Sequence, residues 1–236
     1  MSPELEDLCQ TLRAVAQSEI LPRFQHTAAR LKKDGSLVTA ADVGTQALIL
    51  AELKSRYPSM PVLSEEMTSE EQGALLAGTH GDFWCLDPLD GTSNFAGGFP
   101  FFGISLALFK GGQARLGLVL DPVRDECFSA ERGMGACLNG QSLRLTPTCD
   151  ALNDALALVD LKRLPVEILM RLGGNAPFRS QRSMGAVALE WCWLAAGRAR
   201  LYLHGGQRLW DWAAGRLIAS EAGVQSLLLG QGGGRA

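Results

Sequence analysis

The sequence predicts a mixed α-β protein in which helices and sheets pack in layers. Apolar residues recur at helical spacing over residues 4–31 and again over residues 39–57. Strand-like runs then follow one another from residue 102 to residue 128 with short turns between them, which is typical of an antiparallel meander. After residue 151, short strands alternate with helices. Because the two kinds of element are intermixed along the chain, we expect a layered α+β arrangement.

The N-terminal elements are predicted in order from local signals. The first helix carries Leu5, Leu8 and Leu12 on one face, and Pro22 is expected to break or kink it. A turn is expected at residues 33–36, a second helix at residues 39–57 and a short helix at residues 70–76. Strands are predicted at Val62-Leu63 and at Phe83–Leu86.

The remaining elements complete the expected order. Asn139-Gly140 is a strong hairpin turn signal. Strands are predicted at residues 104–109, 114–120, 126–130, 155–160 and 200–204, and helices at 166–172, 185–196 and 212–222. A last strand at residues 227–229 remains possible, and the glycine-rich end, residues 230–236, is expected to fray.

Length and charge limit the possible classes of protein. A chain of 236 residues is expected to form one domain over residues 1–236, or two closely packed halves, 1–150 and 151–236. A net charge of -3 offers no electrostatic case for binding nucleic acid. No apolar run approaches the ~20 residues that span a bilayer, and the acidic N-terminus does not resemble a secretory signal. We therefore expect a cytoplasmic protein without a membrane partner. A homodimer is also expected, although composition does not indicate it.

The cysteines are interpreted as free thiols. Six cysteines, at positions 9, 85, 127, 137, 149 and 192, form no CxxC pair. Cys85 and Cys192 lie in apolar surroundings. This pattern favours buried thiols in a reducing compartment over a disulfide or zinc framework.

The most informative segment is Asp87–Phe95, which reads DPLDGTSNF. Asp-Pro and Asp-Gly both form turns, so a tight turn is predicted after the Phe83–Leu86 strand. Two carboxylates, the Leu89 carbonyl and two hydroxyls then reach one point, and this set of oxygen ligands suits magnesium or manganese. The amides of Gly91, Thr92 and Ser93 are expected to open a helix and to bind phosphate oxygens. An ordinary loop with Asx turns is the alternative interpretation of this segment.

Together with other segments, these residues resemble the inositol monophosphatase family of metal-dependent, lithium-sensitive phosphatases. The matching segments occur in the family's order over roughly residues 30–225. They are residues 37–42, 64–66, 87–95, 99–101, 133–136, 139–140, 183–186, 210–211 and 221–223. The resemblance implies a layered α-β-α-β-α sandwich as in sugar phosphatases, here with a shortened C-terminus, since the family usually continues with another strand and helix.

The resemblance also implies a ligand set for two or three Mg²⁺ ions, with Mn²⁺ possible. Glu65, Asp87 and the Leu89 carbonyl would hold the first ion, and Asp87, Asp90 and Asp211 the second. Glu66 and Asp42 would support a weaker third ion. Thr92 would help Glu65 or Asp42 take a proton from the attacking water.

Each acidic residue also has a simpler structural interpretation. Asp211 could be the N-cap of the helix that follows it, and Asp42 a first-turn acid that stabilises its helix. Glu65 and Glu66 could be a solvated pair. Only the coincidence of all these residues favours the phosphatase.

The expected substrate is a small phosphorylated metabolite, bound by Gly91, Thr92, Ser93, Gly185, Ala186 and His204. Inositol-preferring members usually carry a glutamate seven positions before the last metal-binding aspartate, whereas this chain has His204 there. A neutral imidazole accepts only one hydrogen bond, so we expect no strong preference for inositol phosphates. Histidinol phosphate, a sugar bisphosphate or a 3'-phosphonucleotide is the alternative substrate, and a catalytically weak regulatory binding protein is the alternative of another class. His204 could also simply end its strand.

Overall fold

The computed structural model of the chain describes residues 2–26, 29–32, 37–78, 81–146 and 151–227. Its α-helices are α1 Pro3–Val15, α2 Ala40–Arg56, α3 Ser69–Gly78, α4 Thr92–Ala96, α5 Val166–Gly174, α6 Val187–Ala195 and α7 Leu209–Ala222. Its strands are β1 Arg30–Leu31, β2 Leu37–Val38, β3 Val62–Ser64, β4 Phe83–Asp90, β5 Gly103–Lys110, β6 Gln113–Asp121, β7 Glu126–Glu131, β8 Gly135–Leu138, β9 Gln141–Leu143, β10 Leu156–Val159, β11 Ser180–Arg182 and β12 Leu201–Leu203.

A large sheet forms the centre of the fold. Its seven strands lie in the order β3-β4-β5-β6-β7-β8-β9. β3 and β4 are parallel, and each later pair is antiparallel, so the predicted meander is confirmed. A smaller, parallel sheet has the order β11-β10-β12, and β1 pairs with β2.

Alternating side chains of β4 pack against different helices on the two faces of the large sheet. Trp84 and Leu86 belong to the cluster of buried residues that contains the apolar faces of α1 and α2. Phe83 and Cys85 point into the opposite cluster, which α6 and α7 complete. This alternation is the period-two pattern of a strand covered on both faces.

The small sheet adds the outer layers. Leu158 of β10 packs against Leu194 of α6, whereas Ala157 and Val159 lie in a cluster bordered by Leu172 of α5. The order is therefore α1 and α2, the large sheet, α6 and α7, the small sheet and α5. The mixed α-β fold and its layered sandwich are thus confirmed.

The element boundaries differ from the expectations at several points. The N-terminal helical segment passes through a π-helical turn and ends at Arg23 in a 3₁₀ turn that contains Pro22, so the break expected at Pro22 is confirmed, and the helical pattern does not continue to residue 31 as a helix. Helix α7 begins at Leu209, three residues earlier than expected. The turn expected at residues 33–36 and the end of the chain from residue 228 lie outside the described residues. Leu227 is not in a strand.

The interpretation of all six cysteines as free thiols was wrong. Cys9 of α1 and Cys127 of β7 form a disulfide across a sequence separation of 118. The two residues are buried where α1 crosses the sheet. Cys85 and Cys192 are free and buried as expected, and burial raises the pKa of both thiols. Cys137 is free and partly exposed, and Cys149 lies outside the described residues.

Within the described residues, none of the helices combines the length and the apolar character needed to cross a bilayer.

Reducing the Cys9–Cys127 disulfide is expected to lower the melting temperature by roughly 5–15 °C, because the crosslink restricts a long loop in the unfolded chain. Both cysteines line a cavity of about 430 Å³. Scanning calorimetry with and without dithiothreitol measures the shift.

The Cys9→Ser variant should melt at the temperature of the reduced parent, and dithiothreitol should not change its melting temperature. Cys137→Ser is the matched control, and it should keep the full response to reduction. A parent protein that melts at the same temperature in both conditions would contradict the assignment of this disulfide.

Candidate active site at the end of strand β4

Strand β4 carries the carboxyl groups of Asp87 and Asp90, and all eight of its residues are buried. The tight turn predicted at Asp87–Asp90 is not formed, because the strand continues to Asp90. The ladder is irregular there: Asp87 pairs with Ser105 and Asp90 with Gly103, with a register shift between them. Pro88 has no N–H to donate to the ladder, and the Leu89 N–H turns to Asp87 Oδ1 at 3.0 Å instead. This bulge lets both carboxyls lie at the same end of the strand.

The chain leaves β4 through Gly91, which has a φ of 89°. A side chain at Gly91 would crowd the Phe101 carbonyl and the Ala186 methyl, each 3.0 Å from the Cβ position. Helix α4 begins directly afterwards, so Thr92 and Ser93 occupy its first turn, as predicted. First-turn N–H groups have no partner within their own helix.

Thr92 connects this turn to Asp42. Its hydroxyl lies 3.0 Å from the Leu89 carbonyl and 3.0 Å from Asp42 Oδ1. One hydroxyl proton serves two acceptors, so only one of these bonds is fully formed at a time.

Asp42 has both its predicted structural role and a place beside Thr92. It lies in the first turn of α2, where its Oδ2 accepts the N–H of Thr39 at 2.7 Å and the Thr39 hydroxyl at 2.5 Å. Its Oδ1 remains for Thr92. Burial raises the pKa of Asp42, although these hydrogen bonds oppose the shift.

Glu65 and Glu66 follow β3, and Glu65 is placed beside β4 by the bond from its N–H to the Leu86 carbonyl, 3.2 Å long. Neither is simply a solvated acid. Lys32 Nζ lies 3.2 Å from Glu65 Oε1 and 2.6 Å from Glu66 Oε1. Burial raises the pKa of both glutamates against the opposing effect of Lys32. Lys32 was not predicted as a site residue, since an isolated lysine carries no motif.

Asp211 reaches the same region from the other half of the chain. It lies in the first turn of α7 and its Oδ2 accepts the Arg208 N–H at 2.8 Å, so it supports the helix start without being the N-cap. The Ser105 hydroxyl donates to the Trp210 carbonyl at 3.0 Å. Because Ser105 also pairs with Asp87, this bond brings the start of α7 beside β4.

The four carboxyl groups of Glu65, Asp87, Asp90 and Asp211 affect one another's ionisation. Burial is the largest cause that raises the pKa of Asp87 and Asp90 well above the usual range, and the neighbouring carboxylates raise both further. Burial also raises the pKa of Asp211 to about 6. The interaction between Glu65 and Asp87 raises the pKa of Asp87 and lowers that of Glu65.

This group fits a hard divalent cation by its chemistry. All its donors are oxygens, and its buried charges repel each other unless protons or cations offset them. In the described part of the chain, however, no three acidic, histidine or cysteine side chains are arranged tightly enough to form a finished cation site. Asp90 Oδ2, for example, accepts the Ala188 N–H at 2.6 Å.

Gly185 and Ala186 lie beside the Gly91 turn. The Asn94 amide of α4 donates to the Met184 carbonyl at 2.7 Å and to the Phe101 carbonyl at 2.6 Å, which ties the two segments together. The buried Glu190 accepts the Met184 N–H at 2.8 Å from the other side. Asn94 and Glu190 were not predicted as residues that position this loop.

His204 is turned inward. Only 3% of its side chain is exposed; Nδ1 accepts the Gly206 N–H at 3.1 Å and Nε2 faces Asp160 Oδ2 at 3.1 Å. The geometry at Nε2 does not satisfy a hydrogen bond. Burial lowers the pKa of His204, which favours the neutral ring. In this arrangement both ring nitrogens face protein groups rather than a ligand.

The metal-free protein is expected to lose stability as the pH rises from about 4 to 7. In the folded state the pKa of Asp211 is about 6, against a usual value of 3.8, so the folded protein keeps a proton that the unfolded chain has released. Asp87 and Asp90 shift in the same direction. Melting temperatures in chelator across this pH range measure the effect.

Asp211→Asn should melt at a higher temperature than the parent at pH 7 and show a weaker pH dependence, since the amide has no proton to lose and its oxygen can still accept the Arg208 N–H. Glu167→Gln, on the exposed side of α5, is the control and should follow the parent. A melting temperature that increases over this range in metal-free parent protein would refute the expectation.

Comparison with known proteins gives a consistent assignment. The model of the inositol monophosphatase family matches residues 4–234. Inositol monophosphatase 1 of Solanum lycopersicum is 38% identical over 193 residues, which cover 79% of this chain and 70% of that protein. Nus factor SuhB of Pasteurella multocida is 35% identical over 197 residues, covering 82% of this chain and 72% of that protein.

Solved structures show the same fold. Extragenic suppressor protein SuhB from Bartonella henselae matches with a TM-score of 0.80 at 30% sequence identity, covering 94% of this chain and 86% of that one. With a family model that spans nearly the whole sequence and relatives above 30% identity, this chain belongs to the inositol monophosphatase family.

Proposed function

We propose that the protein is a magnesium-dependent hydrolase of small phosphate monoesters. The observation that carries the proposal is the group of four interacting carboxyls, Glu65, Asp87, Asp90 and Asp211, next to the first turn of α4. Similarity to inositol monophosphatase 1 supports it.

In this proposal, Glu65, Asp87 and the Leu89 carbonyl hold one Mg²⁺ ion, and Asp87, Asp90 and Asp211 hold a second. Glu66 and Asp42 contribute to a weaker third ion, and Mn²⁺ is a substitute. The ions supply positive charge that offsets the negative charge developing on the phosphoryl group.

The protein's own groups orient the phosphate and move one proton. Amides of Gly91, Thr92 and Ser93 bind phosphate oxygens, and Gly185 and Ala186 border the ester. The Thr92 hydroxyl accepts a proton from the attacking water as it passes its own proton to Asp42 Oδ1, 3.0 Å away. A raised pKa makes Asp42 a better acceptor near neutral pH. Glu65, whose pKa is also raised, is the alternative acceptor.

The observed ion pair between Lys32 and Glu65 bears on this proposal. When the first two ions bind, before the weaker third ion, Lys32 is expected to remain with Glu66, to which it is closer, and to release Glu65 as a ligand. Lys32 therefore balances charge at the edge of the site in the metal-free protein.

Hydrolysis of phosphate monoesters is expected to need Mg²⁺ or Mn²⁺ and to stop in chelator. Asp90→Asn and Asp211→Asn should each reduce kcat/KM by at least about 100-fold, since each removes a charged ligand without adding bulk. Release of inorganic phosphate is measured over a panel that includes inositol 1-phosphate, histidinol phosphate, fructose 1,6-bisphosphate and a 3'-phosphonucleotide.

Glu167→Gln is again the control, with parental turnover expected. In chelator, the melting temperatures of the two aspartate variants should be at least as high as that of the parent. This measurement distinguishes a loss of catalysis from a loss of folding. Hydrolysis that continues at an undiminished rate after exhaustive chelation would contradict the proposal.

Lithium is expected to inhibit turnover at millimolar concentration by occupying the site of Asp87, Asp90 and Asp211. The measurement is phosphate release at fixed Mg²⁺ with increasing LiCl, against NaCl at equal ionic strength. Equal rates in the two salts would show that the second cation site differs from the proposed one.

Similarity to Nus factor SuhB supports a second candidate of another class, a regulatory protein that acts through binding. The same panel discriminates the two candidates. Metal-dependent turnover that Asp90→Asn abolishes favours the enzyme, and no turnover on any ester favours the binding protein.

A further inference from the structure

We propose that the substrate carries a second anionic group, beside the phosphate that is hydrolysed, and that Arg163 and Arg208 bind it. The inference rests on the proposed phosphatase function and assigns a substrate class to the same site. Both arginines are exposed: the Arg208 N–H donates to Asp211 Oδ2 at 2.8 Å, and the backbone of Arg163 packs against Gly205, three residues before Arg208.

Arg163 ends a 3₁₀ turn, Leu161–Arg163, that follows β10. Its guanidinium pairs with Asp160 through a single nitrogen, and 53% of its side chain remains exposed. A guanidinium has five N–H donors in a planar fork, so Arg163 keeps most of its donors for a carboxylate or phosphate.

The loop formed by residues 204–208, between β12 and α7, lies against this turn. There is no room for a side chain at Gly205, because its Cβ would overlap the Arg163 carbonyl oxygen. Asp160 Oδ2 faces both Arg163 and His204, and His204 Nδ1 accepts the Gly206 N–H. His204 is therefore a positioning residue that holds the loop to the arginine-bearing turn.

Arg208 occupies the other end of the same loop. Its N–H donates to Asp211 Oδ2, which fixes its backbone beside the carboxyl group. Its side chain is exposed, and among the described residues no side chain forms a hydrogen bond or ion pair with its guanidinium. Arg208 is thus exposed beside Asp211, and Arg163 is exposed on the adjacent turn.

Charge explains why this arrangement selects an anion. A second negative group on the substrate would be repelled by Asp160, Asp211 and Glu190 unless cations lie closer to it. Arg163 and Arg208 supply these cations on the exposed side, and Lys162 adds a third on the same turn. A neutral polyol gains nothing comparable from guanidinium groups, since their recognition of anions depends on charge-assisted hydrogen bonds.

The test compares two esters of nearly equal size. In 2-phosphoglycerate a carboxylate replaces one hydroxymethyl group of glycerol 2-phosphate. We expect a kcat/KM for 2-phosphoglycerate at least about tenfold above that for glycerol 2-phosphate, and we expect this ratio to fall by about tenfold in Arg163→Gln and in Arg208→Gln. The ratio cancels any general loss of activity in a variant.

Arg115→Gln is the matched control, because Arg115 is also exposed but lies near the opposite end of the sheet, on β6. Its ratio should equal the parent's. Calorimetric titration of both esters with Ca²⁺ in place of Mg²⁺ gives the same comparison without turnover, so it remains decisive if the protein is not a phosphatase.

The outcomes separate the two proposals. Absence of hydrolysis with tighter, arginine-dependent binding of 2-phosphoglycerate contradicts the phosphatase but supports the anion site. Equal ratios in the parent, Arg163→Gln and Arg208→Gln overturn the anion site. So does a catalytic efficiency for inositol 1-phosphate far above that for every ester with a second anion.

Discussion

Repulsion among buried carboxyl groups is the constraint on which the rest of the site depends. Glu65, Asp87, Asp90 and Asp211 come from three separate segments of the chain, and each is removed from water by the layers that surround β4. Folding must hold these groups close although their charges oppose it. Burial raises the pKa of all four groups, so that protonation would relieve the repulsion in the metal-free protein, and bound cations would relieve it in the proposed enzyme. The apolar clusters on both faces of the sheet supply the free energy that keeps this arrangement together.

Interactions of Ser105 help to hold the acidic segments together against this repulsion. Ser105 pairs with Asp87 across the sheet and donates its hydroxyl to the Trp210 carbonyl, so one residue on β5 sets both the strand register and the start of α7. On the other side, β3 runs parallel to β4, and the Leu86 carbonyl accepts the N–H of Glu65. The segments that carry the acids are therefore joined by bonds that do not depend on the ionisation of the site.

Local sequence signals predicted the fold well, because most helices and strands follow from the spacing of apolar residues and from the turn-forming residues between them. The Asn139-Gly140 turn formed as expected, with φ of 49° and 78° at its two residues. Asp87–Asp90 was predicted as a turn because its dipeptides favour turns, but pairing with β5 overrode that preference and produced a bulge. The contact of Lys32 with two glutamates, and the inward rotation of His204, depend on long-range packing that spacing along the chain does not encode. The Cys9–Cys127 pair was missed for the same reason.

That disulfide also divides the chain in a way that concerns the site. It closes a covalent ring from residue 9 to residue 127, which contains Asp42, Glu65, Asp87 and Asp90. Asp211 lies outside the ring, on the open C-terminal part of the chain. The candidate site is thus assembled from a closed loop and the C-terminal part of the chain, and the docking of α7 on the sheet places Asp211 beside the other acids. An oxidised protein that lost this docking would keep three of the four carboxyls within one crosslinked unit, and would lack the fourth.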